Sequence, residues 1–193
     1  MIDVAGKFLI APPRMADPRF HKAVVYIWKH DVTGSAGVIV NKPVDNPTFQ
    51  EVCRQGNMPR AKGTNPRMYW GGPINDNLVG CLHSLDVRMS STHISRPKSL
   101  GYTLDRTMVE HIAQGKERPN KWKLFLGMAS WEPQQLEVEL EALPPRPAGS
   151  SWLVLDFDPK LIWADLKEND MWEKCINLAV QQTTKTFTSK IFN

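Results

Sequence analysis

Long apolar runs, paired cysteines and clustered histidines are all missing from this chain, and each shortage closes off a class of protein. No apolar stretch among the 193 residues approaches the roughly 20 needed to cross a bilayer. The first ten residues show no basic region followed by a long apolar core, so no secretory signal is expected and the protein is expected in the cytoplasm, away from membranes. The cysteines, Cys53, Cys81 and Cys175, are odd in number and far apart, without a Cys-x-x-Cys pair. Three reduced, mostly buried thiols are expected, not a disulfide framework. The histidines, His21, His30, His83, His93 and His111, contain no i,i+4 pair and no metal-site spacing, so neither a metal nor a cofactor is expected. Gly71-Gly72-Pro73 lacks the Gly-Lys-Ser/Thr of a phosphate loop, and Pro73 has no N–H to offer an anion. Gly34-Ser35-Ala36-Gly37 is too short for a nucleophile elbow. No motif commits the chain to a reaction, and no catalytic residue is assigned.

What remains is an ordinary globular composition, 41% hydrophobic and 23% charged, long enough for one domain. The domain is expected over residues 1–182, with 183–193 as a C-terminal tail. The net charge of +4 hides an asymmetry: residues 51–131 carry 12 Lys/Arg against 6 Asp/Glu, and residues 132–173 carry 3 against 10. The two regions are expected to fold together and partly neutralise. The other reading is a basic surface for nucleic acid through Arg54, Arg60, Lys62, Arg67, Arg96 and Lys98, but no nucleic-acid motif accompanies them.

The periodicity reads as alternating strands and helices. Residues 7–11, 23–28 and 36–40 are strands, the last two a hairpin about Thr33-Gly34-Ser35. Thr48 with Glu51 three residues on forms a capping box, so a helix follows, closed by Gly56. Residues 68–70 and 78–85 are strands, and 88–99 an exposed loop with room for a short strand. Asp105 caps a helix whose Met108, Val109, Ile112 and Ala113 share a face, ended by Gly115. Residues 122–129 form a central strand. Residues 135–141 are ambiguous: Leu136, Val138 and Leu140 alternate like a strand, while Leu136, Leu140 and Leu143 fit a helix; helix is chosen, with Pro133 suited to its first turn. The prolines at 144, 145 and 147 break it, 152–157 is a strand, and Trp172, Cys175, Ile176 and Ala179 mark an amphipathic helix.

Several polar residues stand where apolar strands stop. His30 beside Asp31 can act as acid or base, or simply hold the hairpin turn, which is the preferred reading. Cys81 and His83 are two apart in a strand, giving either a thiol–imidazole pair or core positions. Asn41, locked by Pro43, either satisfies loop backbone or faces a pocket. Trp131 and Gln135 sit where a strand end meets a helix start. Trp131 is expected to be buried, with Gln135 satisfying it. The return strand, the Gly71-Gly72 turn and the Gly127–Trp131 strand end are expected to meet around that indole.

These segments carry a resemblance. Phe8 to Ala11 with Asp17, Pro18 and Phe20; His30 with Gly34, Gly37, Asn41 and Pro43; Gly71-Gly72-Pro73; and Gly127, Ala129, Trp131, Gln135, Leu136 and Glu139 together resemble the AlgH/YqgE family. Lys29 stands where the family pattern has Glu, and Ser130 and Gln134 where it has Gly. Gln134 therefore requires a backbone that accepts a side chain. The resemblance implies a single-domain α+β fold, a mixed, mainly antiparallel and partly barrel-like sheet surrounded by helices. It implies no established cofactor or catalytic residue. Members are labelled transcriptional regulators, yet no helix-turn-helix is visible, so regulation would be indirect. The expected role is non-enzymatic and regulatory, through an unidentified protein partner. The alternative is a small-molecule site or enzyme around His30, Asn41 and Gln135, with Gly71, Gly72 and Trp131 as further candidate binding residues.

Overall fold

A computed structural model describes residues 3–95, 100–141, 151–164 and 166–191, with side chains through residue 185. The order is β1 (Phe8–Ile10), β2 (Val24–Asp31), β3 (Gly34–Ile39), β4 (Pro43–Val44), α1 (Phe49–Gln55), β5 (Met68–Trp70), β6 (Ile74–His83), β7 (His93–Ile94), β8 (Gly101–Thr103), α2 (Arg106–Gln114), β9 (Trp122–Trp131), α3 (Gln135–Glu141), β10 (Leu153–Leu155), α4 (Pro159–Trp163) and α5 (Glu168–Ile191). Residues 183–191, expected as a tail, continue α5. The expected break at residues 144–147 lies outside the described residues, as do Arg96 and Lys98.

Strand order along the sheet is β10-β1-β2-β3-β9-β6-β8-β7. The long strand β9 organises it. One edge pairs with β6; the other pairs first with β5, in parallel, and then with β3. The remaining pairs are antiparallel. The far strand β7 curls back toward β2. The Tyr26 hydroxyl donates to Ser95 Oγ at 2.7 Å, and the His93 ring meets the Trp28 ring at 5.0 Å. The sheet is thus mixed and partly barrel-like within an α+β fold.

Alternation along β2 separates two cores. Tyr26 and Trp28 join Phe8, Val38, Leu82, Tyr102 and Phe125, sealed by Met171, Cys175 and Ala179 of α5. Val25 and Ile27 join Leu9, Ile39, Trp131, Leu136 and Trp152 under α3. A bulge between Ile27 and Lys29 inserts one residue. Two consecutive residues then oppose one partner, and the alternation is rephased. His30 consequently falls on the α3 side. A third core packs α1 and α2 on β5, β6 and β9 through Phe49, Cys53, Met108, Ile112 and Leu124.

The helix termini follow their local chemistry. Thr48 and Glu51 make the full capping box, and Asp105 caps α2, which ends at Gly115 with φ of 70°. Gly56 closes α1 without entering the left-handed region, at φ of −79°. Helix α3 begins at Gln135, not at Pro133. Gln134 holds φ of 67°, and a left-handed residue cannot continue into a helix. The Gly-to-Gln departure therefore falls at a position whose backbone favours glycine.

Candidate functional site

Beneath α3, the ends of β2, β3 and β9 gather the polar residues singled out in the sequence. Ser35 and Trp131 are cross-strand partners, as are Ser35 and His30. His30 Nδ1 lies 2.8 Å from Ser35 Oγ, and its Nε2 lies 3.9 Å from Glu137 Oε1. The His30 side chain is 2% exposed. The Trp131 indole is walled by Phe20 at 6.2 Å, Trp152 at 6.1 Å and the buried Leu136. Its N–H donates to Glu139 Oε2 at 3.0 Å, and the Trp152 N–H donates to the same oxygen at 2.9 Å. Gln135 does not satisfy Trp131. Its Nε2 donates to Glu139 Oε1 at 3.2 Å, and its Oε1 accepts from the Glu132 N–H at 3.0 Å, closing the first turn of α3. Glu139, named in the resemblance but not among the candidate site residues, is the group that joins them. Its signal was its place four residues after Gln135, on the same helix face.

Asn41 is elsewhere. Its Oδ1 accepts from the Val24 N–H at 2.8 Å, and its Nδ2 donates to Lys22 O at 2.9 Å and Glu168 O at 3.1 Å. It ties the start of β2 to the start of α5. Six residue steps separate Val24 from His30 along β2, about 20 Å at strand rise. His30 and Gln135 share one cluster; Asn41 brackets the opposite end, and the three do not converge on one enclosed site.

Gly71 and Gly72 lie where the chain crosses β9. A Cβ on Gly71 would stand 2.2 Å from Gly127 O, and one on Gly72 would stand 2.4 Å from Met128 C. The Gly71 N–H donates to Leu126 O at 2.7 Å, and Gly71 O accepts from the Ile39 N–H at 2.9 Å. That donor is committed to the sheet and does not face an anion. The return strand and the Gly71-Gly72 turn both lie against β9, but the three segments do not all meet around the indole as expected. The Gly71-Gly72 turn meets residues 127–129 rather than the indole, because β5 leaves β9 at Leu126, before Trp131.

The titratable groups elsewhere serve the fold. Nδ1 of His83 bonds Ser84 O at 2.8 Å, which makes it the protonated nitrogen, and Nε2 accepts from Thr103 Oγ1 at 2.9 Å. Thr103 in turn accepts from Thr92 Oγ1 at 2.8 Å, and Thr92 accepts from the Met89 N–H at 2.8 Å. This relay occupies both ring nitrogens, so His83 forms no pair with Cys81. Burial lowers the His83 pKa, the Ser84 carbonyl partly opposing it. All three cysteines are free and buried, and burial pushes their thiols up, Cys175 to about 12. Among the described residues, no group of three or more His, Cys, Asp or Glu could hold a metal ion, and no helix is long and apolar enough to cross a membrane.

Two open features were not foreseen. A groove of about 450 Å³ runs between α1, α2 and β6, floored by Val52, Met58, Val79, Val109 and Leu126. Leu78 and Leu104 border it with 45% and 43% of their surface exposed. Here β6 departs from β9 between Ile74 and Val79, and Asn75 takes φ of 52°. The second is a cavity at the seam of β2 with the β7–β8 hairpin, lined by Trp28, His93 and Tyr102. Of the basic residues, Arg54 and Arg60 line a hollow beside α1 together with Glu51. Arg60 there donates to the carbonyls of Ala61 and Thr64.

The curled mixed sheet with five helices defines an α+β class with solved examples. The solution structure of AlgH from Pseudomonas aeruginosa superposes with a TM-score of 0.73 at 29% identity, covering 94% of this chain and 92% of that one. A Corynebacterium diphtheriae protein shares the fold, with a TM-score of 0.60 at 23% identity over 83% of this chain and 79% of that one. The AlgH-like family model matches residues 8–183, and the chain belongs to that family. A UPF0301 protein of Cereibacter sphaeroides is 33% identical over 165 residues, 85% of each chain. A UPF0301 protein of Jannaschia is 34% identical over 179 residues, 90% of this chain and 87% of its own.

Proposed function

We propose that this AlgH-like protein performs no chemistry of its own and acts as a regulatory interaction module, receiving a protein partner in the groove between α1, α2 and β6. The observation that carries this reading is the pair Leu78 and Leu104, two large aliphatic side chains left nearly half exposed on the border of one apolar groove. Exposed apolar surface of that kind, rimmed by polar residues, marks interaction sites. Among the described residues, the lining itself holds one basic residue, Arg106, paired with Glu110, and one acidic, Asp76; the wider segment, residues 51–131, carries 12 basic against 6 acidic residues. The complementary occupant is a short apolar segment whose carboxylates lie beyond the groove, facing that wider charge. The arrangement under α3 supports the absence of turnover, since His30 is enclosed and its neighbours are engaged with one another. Free, buried thiols support a cytoplasmic setting. Any effect on transcription is then exerted through the partner.

Pull-downs from the native host with the unaltered chain, Leu78→Glu and Val180→Glu test this. Val180 is 53% exposed on α5, outside the groove. A partner kept by the Val180 variant and lost by the Leu78 variant is expected, and its binding segment is expected to be apolar with acidic flanks. Recovery of the same proteins by all three, or none above background, overturns the assignment. Loss of capture on nuclease treatment assigns the surface to nucleic acid instead.

A further inference from the structure

The seam cavity has a composition unlike the rest of its neighbourhood. It is a hollow of about 410 Å³, open to solvent and lined by Trp28, Ser91, His93, Tyr102, Leu104 and Asp105. Trp28 stacks on Tyr102 with ring centroids 4.6 Å apart and planes 15° apart, and His93 meets Trp28 edge-on at 5.0 Å. Among the described residues, one carboxylate belongs to the lining and no Lys or Arg does, although the surrounding segment is strongly basic. Asp105 Oδ1 accepts from the Thr107 N–H at 2.9 Å, and Oδ2 accepts from Ser91 Oγ at 3.2 Å. The Thr107 and Ser91 hydrogen bonds hold Asp105 below the usual carboxylate range, so it is ionised at neutral pH. The nearby Lys29 is engaged by Thr33 Oγ1 at 2.7 Å and Asp31 Oδ2 at 3.7 Å. Burial disfavours the charged form of His93, which leaves a neutral ring in the wall.

We propose that this seam cavity binds a small organic cation, an amine whose apolar body lies against the aromatic wall and Leu104 and whose ammonium group meets Asp105. Aromatic faces attract cations through the ring quadrupole, and a fixed carboxylate adds charge selection. An anion of the same size meets the carboxylate with no Lys or Arg of the described lining to offset it. The cavity and the groove share Leu104, but the ligand contacts assigned here do not depend on a protein partner.

The test uses ¹⁵N-labelled full-length protein at pH 7. The Trp28 indole resonance is assigned by its loss in Trp28→Phe. Benzylamine and benzoate are then titrated separately. A saturable shift of the Trp28 resonance with benzylamine, absent with benzoate, is expected. Asp105→Asn is expected to weaken benzylamine about tenfold, the effect of one charge contact. Asn caps a helix as well as Asp does, so α2 is retained and loss of fold does not mimic loss of binding. Equal binding of benzoate, no saturable shift up to about 10 mM benzylamine, or an unchanged affinity in Asp105→Asn overturns the proposal.

Discussion

Replacing Glu139 with Ala tests how the family-signature segment is held. The carboxylate accepts two indole N–H groups on one oxygen, from Trp131 at 3.0 Å and Trp152 at 2.9 Å, while its other oxygen takes Gln135 at 3.2 Å. Both indoles are 5% exposed. A hydrogen bond to an ionised group contributes about 1.5–3 kcal/mol, and a buried donor left alone costs about 1–3 kcal/mol. The Gln135 contact is exposed and adds little. Water can reach the vacated volume from the helix surface, which places each indole near the lower end. A loss of about 3 kcal/mol is therefore expected for Glu139→Ala, or about 6–12 °C in Tm for a chain of this size. Glu139→Gln keeps one carbonyl oxygen for both indoles and is expected to cost about 1 kcal/mol. Urea unfolding followed by tryptophan fluorescence measures both. A cycle pairing Glu139→Ala with Trp152→Phe is expected to show coupling above about 0.5 kcal/mol, as for residues in one network. A loss below about 1 kcal/mol for the Ala variant, or no difference between Ala and Gln, would refute the clamp. It would make Glu139 a surface carboxylate and free the cluster for a binding role.

Gly71→Ala should destabilise by more than about 3 kcal/mol in the same assay, because its Cβ would stand 2.2 Å from the Gly127 carbonyl oxygen in rigid strand backbone. Gln134→Gly should stabilise by about 0.5–1 kcal/mol, since relief of a left-handed side-chain conformation exceeds the added freedom of glycine in the unfolded chain. Stability should fall on acidification below about pH 6.5, the ordinary histidine value. His83 is held neutral by burial, so the unfolded chain binds its proton first and the unfolding free energy decreases until the folded pKa is passed. Urea titrations at pH 7.5, 6.0 and 5.0 should show this slope, reduced in His83→Gln.

Local chemistry was legible in the sequence where one short segment determines the outcome. The Thr48–Glu51 box, the Asp105 cap and the Gly115 stop each involve groups within a few residues, and each forms as read. The short strand β8 escaped notice because three residues, one of them glycine, show no alternation. Helix α4 escaped although Asp158 and Pro159 make a recognisable cap and first turn. Helix α3 forms over 135–141 as read, but Pro133 stays outside its first turn, because the left-handed turn at Gln134 has no signature once glycine is replaced. Of the candidate residues, the sequence joined Trp131 and Gln135 through their spacing. It could not separate Asn41 from His30, since both stand at strand ends and only the hairpin register shows that the ends are opposite. The seam cavity was invisible for the complementary reason: Trp28, His93 and Tyr102 come together only when the sheet curls β7 back onto β2.

That curl also divides the molecule's chemistry. The polar side chains at the ends of β2, β3 and β6 point into packed volume, where each finds a neighbour: His30 with Ser35, Asn41 with three backbone groups, His83 with a threonine relay. A general base must reach the proton it removes, and a nucleophile must reach its electrophile. The enclosed His30, and thiols raised by burial, meet neither requirement. The surfaces left open are of the other kind. They are an aliphatic groove bordered by Leu78 and Leu104 and a ring-walled cavity with one carboxylate. Both present apolar side chains to solvent, and Leu104 lines each. The fold thus keeps His30, Asn41, His83 and the thiols in packed volume and leaves aliphatic and aromatic side chains to line the open surfaces. The bulge after Ile27 is what permits this, because it sends Trp28 to the seam and His30 beneath α3 within three residues of one strand.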